Sequence, residues 1–244
     1  MLKARIKFRK YGAVRFIGHL DLMRFFQKMI RRADIDIAYS QGFSPHQIMS
    51  FAAPLGVGLE SNGEYVDVEM NSVTSSMDMV TRMNKASVDG VEILSIRKLP
   101  DDCKNAMASV AAASYTVRFR DERAPKVDYC KELPLFIESK EIPYEKETKK
   151  STLQLDLKPA IYDLSVNADG SIYMLLNASS SGNIKPGMVI SAFLKKHGEE
   201  LAENALLITR EDTYQLTEKA KKKQPEHLKK SDFVSMGEIG DIIA

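Results

Sequence analysis

At 244 residues, 44% apolar and with a formal net charge of +2, the chain is long enough for one large domain or two small ones and apolar enough to bury a core. Its two cysteines, Cys103 and Cys130, exclude a disulfide framework and a self-contained four-cysteine zinc or iron–sulfur site, and read as reduced thiols of a cytoplasmic protein. No apolar run approaches ~20 residues, so no membrane span is expected, and the alternating start MLKARIKFRK does not read as a signal peptide. The charge is unevenly spread. Residues 1–50 hold ten Lys/Arg against three Asp/Glu, and residues 51–98 hold four against seven. A basic N-terminal region of this kind fits either an anionic partner or a solvated cationic face.

Residues 3–9 alternate strictly, with Ala4, Ile6 and Phe8 against Lys3, Arg5, Lys7 and Arg9. This pattern predicts a half-buried strand whose open face carries four positive charges. Residues 19–33 predict a helix, with Leu22, Phe25, Phe26, Met29, Ile30 and Ala33 on its apolar side. Arg24, Lys28, Arg31 and Arg32 stack on its other side, and Asp21 sits in the first turn where the helix dipole favours a carboxylate. Residues 35–41 predict a short strand, and the turn-forming Gly42–Gln47 segment, GFSPHQ, predicts a loop. Strands are expected at 64–70 and 91–97, with a helix at 74–86 between them. The order is strand, helix, strand, strand, helix, strand, which is the ferredoxin-like split unit.

The order then recurs. A strand is expected at 115–120, and a helix at 126–139 interrupted by Pro134. Edge strands follow at 142–148 and 151–157, then a hairpin of 161–166 and 172–177 about Asn167–Ser171. Pro186 opens a helix to Lys196, and a last strand covers 206–210. The reading is an α+β chain of tandem ferredoxin-like halves with antiparallel sheets. A first half covers 1–98, a linker 99–113, a degenerate second half 114–212, and a Lys-rich tail 213–244, flexible over 217–230 and ending in an apolar cluster, SDFVSMGEIGDIIA, that either docks back or stays loose.

Groups able to bind something concentrate between Arg15 and Gly58. His19, Asp21 and His46 are the candidate acid–base or metal groups. An Asp in a first helical turn is ordinarily a dipole or capping residue, and the H-x-D spacing is nonspecific, so no metal site is assigned. The chain lacks phosphate-cradling motifs and any nucleophile or cofactor motif, so no cofactor is expected. Lys3, Arg5, Lys7 and Arg9 on an uncovered sheet face, with Arg15, Arg24 and Lys28, supply candidate phosphate contacts. Tyr11, Tyr39, Phe43 and Phe51 are candidate stacking surfaces. Ser40, Gly42, Ser44 and Ser50 complete the candidate ligand-binding set. The common aromatic sheet signature of the RNA-recognition motif is absent, and an acidic protein partner would explain the same charges.

The string from Arg15 to Ser61 resembles the radical-SAM-linked protein family, a domain of unknown function. Arg15, Phe16, His19, Leu20, Asp21, Leu22 and Arg24 match its first motif, Tyr39, Ser40, Gly42, Phe43, Pro45 and His46 its second, and Ser50, Phe51, Leu55 and Gly56 its third. Gly18 and Gln47 stand where the family usually has Ser and Pro. The resemblance implies an accessory domain, fused to or encoded near radical S-adenosylmethionine enzymes, and this chain is similar to the stand-alone form. It has no C-x-x-x-C-x-x-C cluster motif of its own. Together these readings describe an accessory binding protein rather than an enzyme. It would hold an anionic ligand, RNA first among them, and act with a separate radical SAM enzyme. The alternative is an RNA-processing or phosphodiester-transfer enzyme using His19 and His46 as acid and base.

Overall fold

The strict alternation at the start of the chain is carried through as strand β1 (Leu2–Lys10), whose Ala4, Ile6 and Phe8 are fully buried. The computed structural model describes residues 1–147 and 151–244, and these divide into two units. The first comprises Met1–Val110, Asp212–Gln215 and Val234–Ala244, and the second Ala111–Glu211 and Leu216–Phe233.

In the first unit β1 is followed by α1 (His19–Arg32), β2 (Met49–Phe51), β3 (Glu60–Met70), α2 (Ser76–Ala86), β4 (Val91–Lys98) and the single-turn α3 (Ala106–Ser109). Strand order across the sheet is β4–β1–β3–β2, and each adjacent pair is antiparallel. The helices lie on one face. Leu22, Phe26, Met29 and Ile30 of α1, with Met79 and Met83 of α2, pack against Ala4, Ile6, Phe8, Val66, Val68 and Ile96. Phe26 sits 4.6 Å from Phe8 and 5.3 Å from Phe51, ring centre to ring centre. The spacing of apolar residues makes α1 amphipathic, so its basic side is left to solvent. Ser75 caps α2 by accepting from the Asp78 amide.

The strand expected over 35–41 is reduced to isolated bridges, Ile37 to Met70 and Tyr39 to Gln47. The edge of β3 that it would occupy is taken by β2, in the register Met49 to Val68 and Phe51 to Val66. One stretch of strand edge accepts one partner, and the hydrogen bonds between Ser40 and His46 curl the earlier segment away from it.

The second unit has β5 (Ala112–Phe119), α4 (Tyr129–Ile137), the hairpin β6 (Pro143–Glu147) and β7 (Thr152–Asp156), then β8 (Ile161–Val166), β9 (Ile172–Asn177), α5 (Pro186–Lys196) and β10 (Leu206–Leu216). Strand order is β10–β5–β9–β8, while β6 and β7 form a sheet of their own. Thr148, the end of one expected edge strand, lies outside the described residues. The β8–β9 turn closes through the Asn167 amide on the Ser171 carbonyl at 2.8 Å, with Gly170 at φ +76°. Leu133, Phe136, Val189, Ile190 and Phe193 bring α4 and α5 onto the sheet. The chain is therefore α+β, with mostly antiparallel pairing.

The expected linker at 99–113 contains α3 and the start of β5. Of the two alternatives for the end of the tail, the apolar cluster docks back. Asp212–Gln215 of β10 belong to the first unit, and β11 (Phe233–Ser235) and β12 (Asp241–Ile242) follow. β12 pairs with β4, and Met236 is fully buried beside Ala52, Tyr65 and Ala106.

Candidate functional site

Because Ala4, Ile6 and Phe8 face the helices, Arg5, Lys7 and Arg9 point to the other face of the sheet. There they meet acids. Arg5, only 2% exposed, donates to both carboxylate oxygens of Asp67 at 2.7 and 3.0 Å. Lys7 reaches Asp212 at 3.4 Å, and Arg9 reaches Glu92 at 3.2 Å and Asn62 at 3.0 Å. Asp212 also accepts from the Tyr65 hydroxyl and from Ser235 at 2.7 Å. Burial, then the Asp212 charge, pushes the Tyr65 phenol well above its ordinary pKa. Three of the four cations expected on the uncovered face of β1 are thus paired with acids, Arg5 in the interior and Arg9 at the surface, while Lys3 is exposed and reaches the Asp101 carbonyl at 3.4 Å. The reason lies across the strands: Asp67 and Tyr65 of β3 stand directly opposite Arg5 and Lys7.

Lys10 extends β1 on its apolar side. It is buried, and its ammonium donates to the Ile17 carbonyl at 2.9 Å and to the Arg15 carbonyl at 3.4 Å. Desolvation lowers its pKa, with the Glu64 charge opposing. It therefore fixes the turn that leads into α1. A lysine on the core parity of an alternating strand was the available signal for this role. Arg15 pairs with Glu60 at 3.2 Å and lies over Phe16.

His19 opens α1 half-buried, its ring edge-on to Phe51 at 5.3 Å. Asp21 pairs with Arg24 at 3.3 Å. Further along the same face Lys28, Arg31 and Arg32 are exposed, and among the described residues none of them has an ion pair.

The Gly42–Gln47 loop is stapled to this helix. Ser40 Oγ bonds His46 Nδ1 at 2.8 Å and accepts from the His46 amide at 3.1 Å. Gln47, 5% exposed, donates through Nε2 to the Gln27 carbonyl of α1 at 3.3 Å and to the Tyr39 hydroxyl at 3.4 Å. The tip stands clear: Gly42 turns it at φ +114°, Ser44 is exposed, and Phe43 is fully exposed. Between loop and helix lies a recess of about 220 Å³ lined by Gln27, Arg31, Tyr39, Pro45, His46 and Gln47.

The two histidines attend different parts of α1. His46 borders Gln27 and Arg31, which lie eight and twelve residues beyond His19, roughly 12 and 18 Å along a helix rising ~1.5 Å per residue. Ser50 and Lys3 border a separate cavity of about 310 Å³ with Asp67, Glu69 and Cys103. Among the described residues no group of three or more His, Cys, Asp or Glu is placed to hold a metal ion. Among the same residues no helix is long and apolar enough to cross a membrane.

Residues 3–186, about three quarters of the chain, match the family described as "Uncharacterized protein conserved in bacteria (DUF2344)". The chain belongs to this family. Among curated proteins none matches it. The DUF2344 match takes in the whole of the stapled loop, both helices beside it and the sheet they cover.

Proposed function

We propose that this DUF2344 protein is a non-catalytic binding protein for single-stranded RNA, made of two ferredoxin-like units and acting in the cytoplasm with a separate radical SAM enzyme. One observation carries the reading of the ligand. The stapled loop sets Tyr39 and His46 beside Arg31 of α1, around one recess. Cations on a helix face meet phosphates, and exposed aromatic rings stack on unpaired bases. The sheet face of β1 is the weaker candidate, since Arg5, Lys7 and Arg9 already pair with Asp67, Asp212 and Glu92. The equivalent strand orders, β4–β1–β3–β2 and β10–β5–β9–β8, support the ferredoxin-like assignment of both units.

The partner enzyme is inferred from the family resemblance in the Arg15–Ser61 string. It is supported by exposed Phe16 and Val57, which adjoin the residues joined where the Gly58 amide donates to the Arg15 carbonyl at 2.9 Å, and by exposed Leu20 in the first turn of α1. Acid–base catalysis by His19 with His46 is the weaker reading, because the two rings attend separate turns of α1. Fluorescence anisotropy with a labelled single-stranded RNA tests the proposal. Binding that weakens with salt, and that falls at least tenfold in Lys28→Glu/Arg31→Glu, is expected. Affinity unchanged by that reversal, or RNA cleaved by the wild type and spared by His46→Ala, overturns it.

A further inference from the structure

Gln47, one of the residues lining the recess between loop and helix, carries an unmet hydrogen-bonding group. Gln47 Oε1 is sealed from solvent and has no partner among the described residues. Its orientation follows from its neighbour: Nε2 faces the Gln27 carbonyl, which can only accept, so the oxygen must be the end left over. A buried acceptor without a donor is a destabilising arrangement that native folds seldom retain. Here it borders a recess carrying Arg31 at one side and the exposed Tyr39 ring at the other. Tyr39 holds the other end of the same amide, its hydroxyl accepting from Nε2 at 3.4 Å, so a ligand that reaches Oε1 would have to displace this exposed ring.

Resting on the RNA reading above, we infer that this recess seats one unstacked nucleobase bearing an exocyclic amine, as adenine, cytosine and guanine do and uracil does not, whose N–H donates to Gln47 Oε1. The volume of about 220 Å³ equals roughly seven water molecules at ~30 Å³ each, room for a single planar base and not for a stacked pair. Tyr39 and His46 supply ring surface for the base, and Arg31 takes the adjoining phosphate. Uracil is disfavoured because its one donor lies between two carbonyl oxygens that would crowd Oε1, and the amide's donor end is already occupied by Gln27.

The experiment measures anisotropy for equal-length oligo(A), oligo(C), oligo(U) and oligo(N6,N6-dimethyl-A) on the wild-type chain and on Gln47→Leu. On the wild type, A and C are expected to bind about tenfold tighter than U, the scale of one base-specific hydrogen-bonded contact. Dimethyl-A is expected to fall to the level of U. This last arm removes the donor from the ligand and so does not depend on a variant that folds. Gln47→Leu should bind all four alike, with its salt dependence retained. Equal binding of A, C, U and dimethyl-A by the wild type overturns the base-reading recess alone. No binding of any oligomer overturns the RNA reading together with it.

Discussion

Replacing Asp67 by Asn tests whether the β1 cations are structural. The change keeps the shape of the side chain and removes its charge, leaving the Arg5 guanidinium 2% exposed and without its counter-ion. Both of its contacts, at 2.7 and 3.0 Å, are charge-assisted and aligned as a fork. The Met236 carbonyl, 3.5 Å from Arg5, is too distant to replace them. Breaking one side of a buried pair costs about 3–5 kcal/mol, whereas replacing both sides by apolar residues is often neutral. Asp67→Asn should therefore lose about 3 kcal/mol, and Arg5→Met/Asp67→Leu should recover most of it. In urea, with a slope of about 1–3 kcal/mol per molar, the midpoint should fall by roughly 1–3 M. Far-UV circular dichroism reports the transition, since the chain has no tryptophan. A midpoint that moves by less than the error for Asp67→Asn would refute the reasoning, because the pair would then have to be solvated. So would a double variant no more stable than the single one.

Further outcomes follow from other parts of the fold. Removing the charges of Lys28, Arg31 and Arg32 should flatten the dependence of log affinity on log salt by about 2, at ~0.7 per lost contact with a single strand; an unchanged slope places the phosphates elsewhere. Met236→Ala should destabilise the chain by about 2–5 kcal/mol through a cavity under the C-terminal segment, read in the same urea titration; a loss below 1 kcal/mol would mean that the segment is not packed as described. Asp36 is held below the usual carboxylate range by hydrogen bonds from Ser72 and Asn71, and Asp78 by Thr74 and then Arg82. Their stabilisation is complete above the ordinary carboxylate pKa and is lost as pH falls through the depressed folded values. Urea midpoints should thus be level above about pH 5 and decline below about pH 4, less steeply in Asp36→Asn.

Periodicity was enough to read the elements whose burial is decided along one segment. The alternation of residues 3–9 marks β1, the helical spacing of Leu22, Phe26, Met29 and Ile30 marks α1, and Pro186 marks the first turn of α5. Features settled by distant neighbours were not legible. Ile35–Gln41 has strand composition, yet the β3 edge goes to three residues of β2. Arg5 and Arg9 look solvated until Asp67 and Glu92 are brought opposite them. The cations of α1 were visible as a stripe, and the structure separates Arg24, which is paired, from Lys28 and Arg31, which are not. Gln47 stood out only as a departure from the family pattern. Its significance depends on the Gln27 carbonyl, twenty residues away and on another element.

The docking of β12 on β4 sets an order of events at the ribosome. Arg97 donates to the Gly240 carbonyl across 143 residues, and Ser76 Oγ accepts from the Ile243 amide across 167. The N-terminal unit is thus translated first yet waits, with one edge of β4 unpaired and the Met236 socket empty, until the whole intervening unit has emerged. Such a delay leaves a sticky border open during synthesis. A chaperone that shields the nascent chain over that interval would raise the yield of this protein more than its modest size suggests.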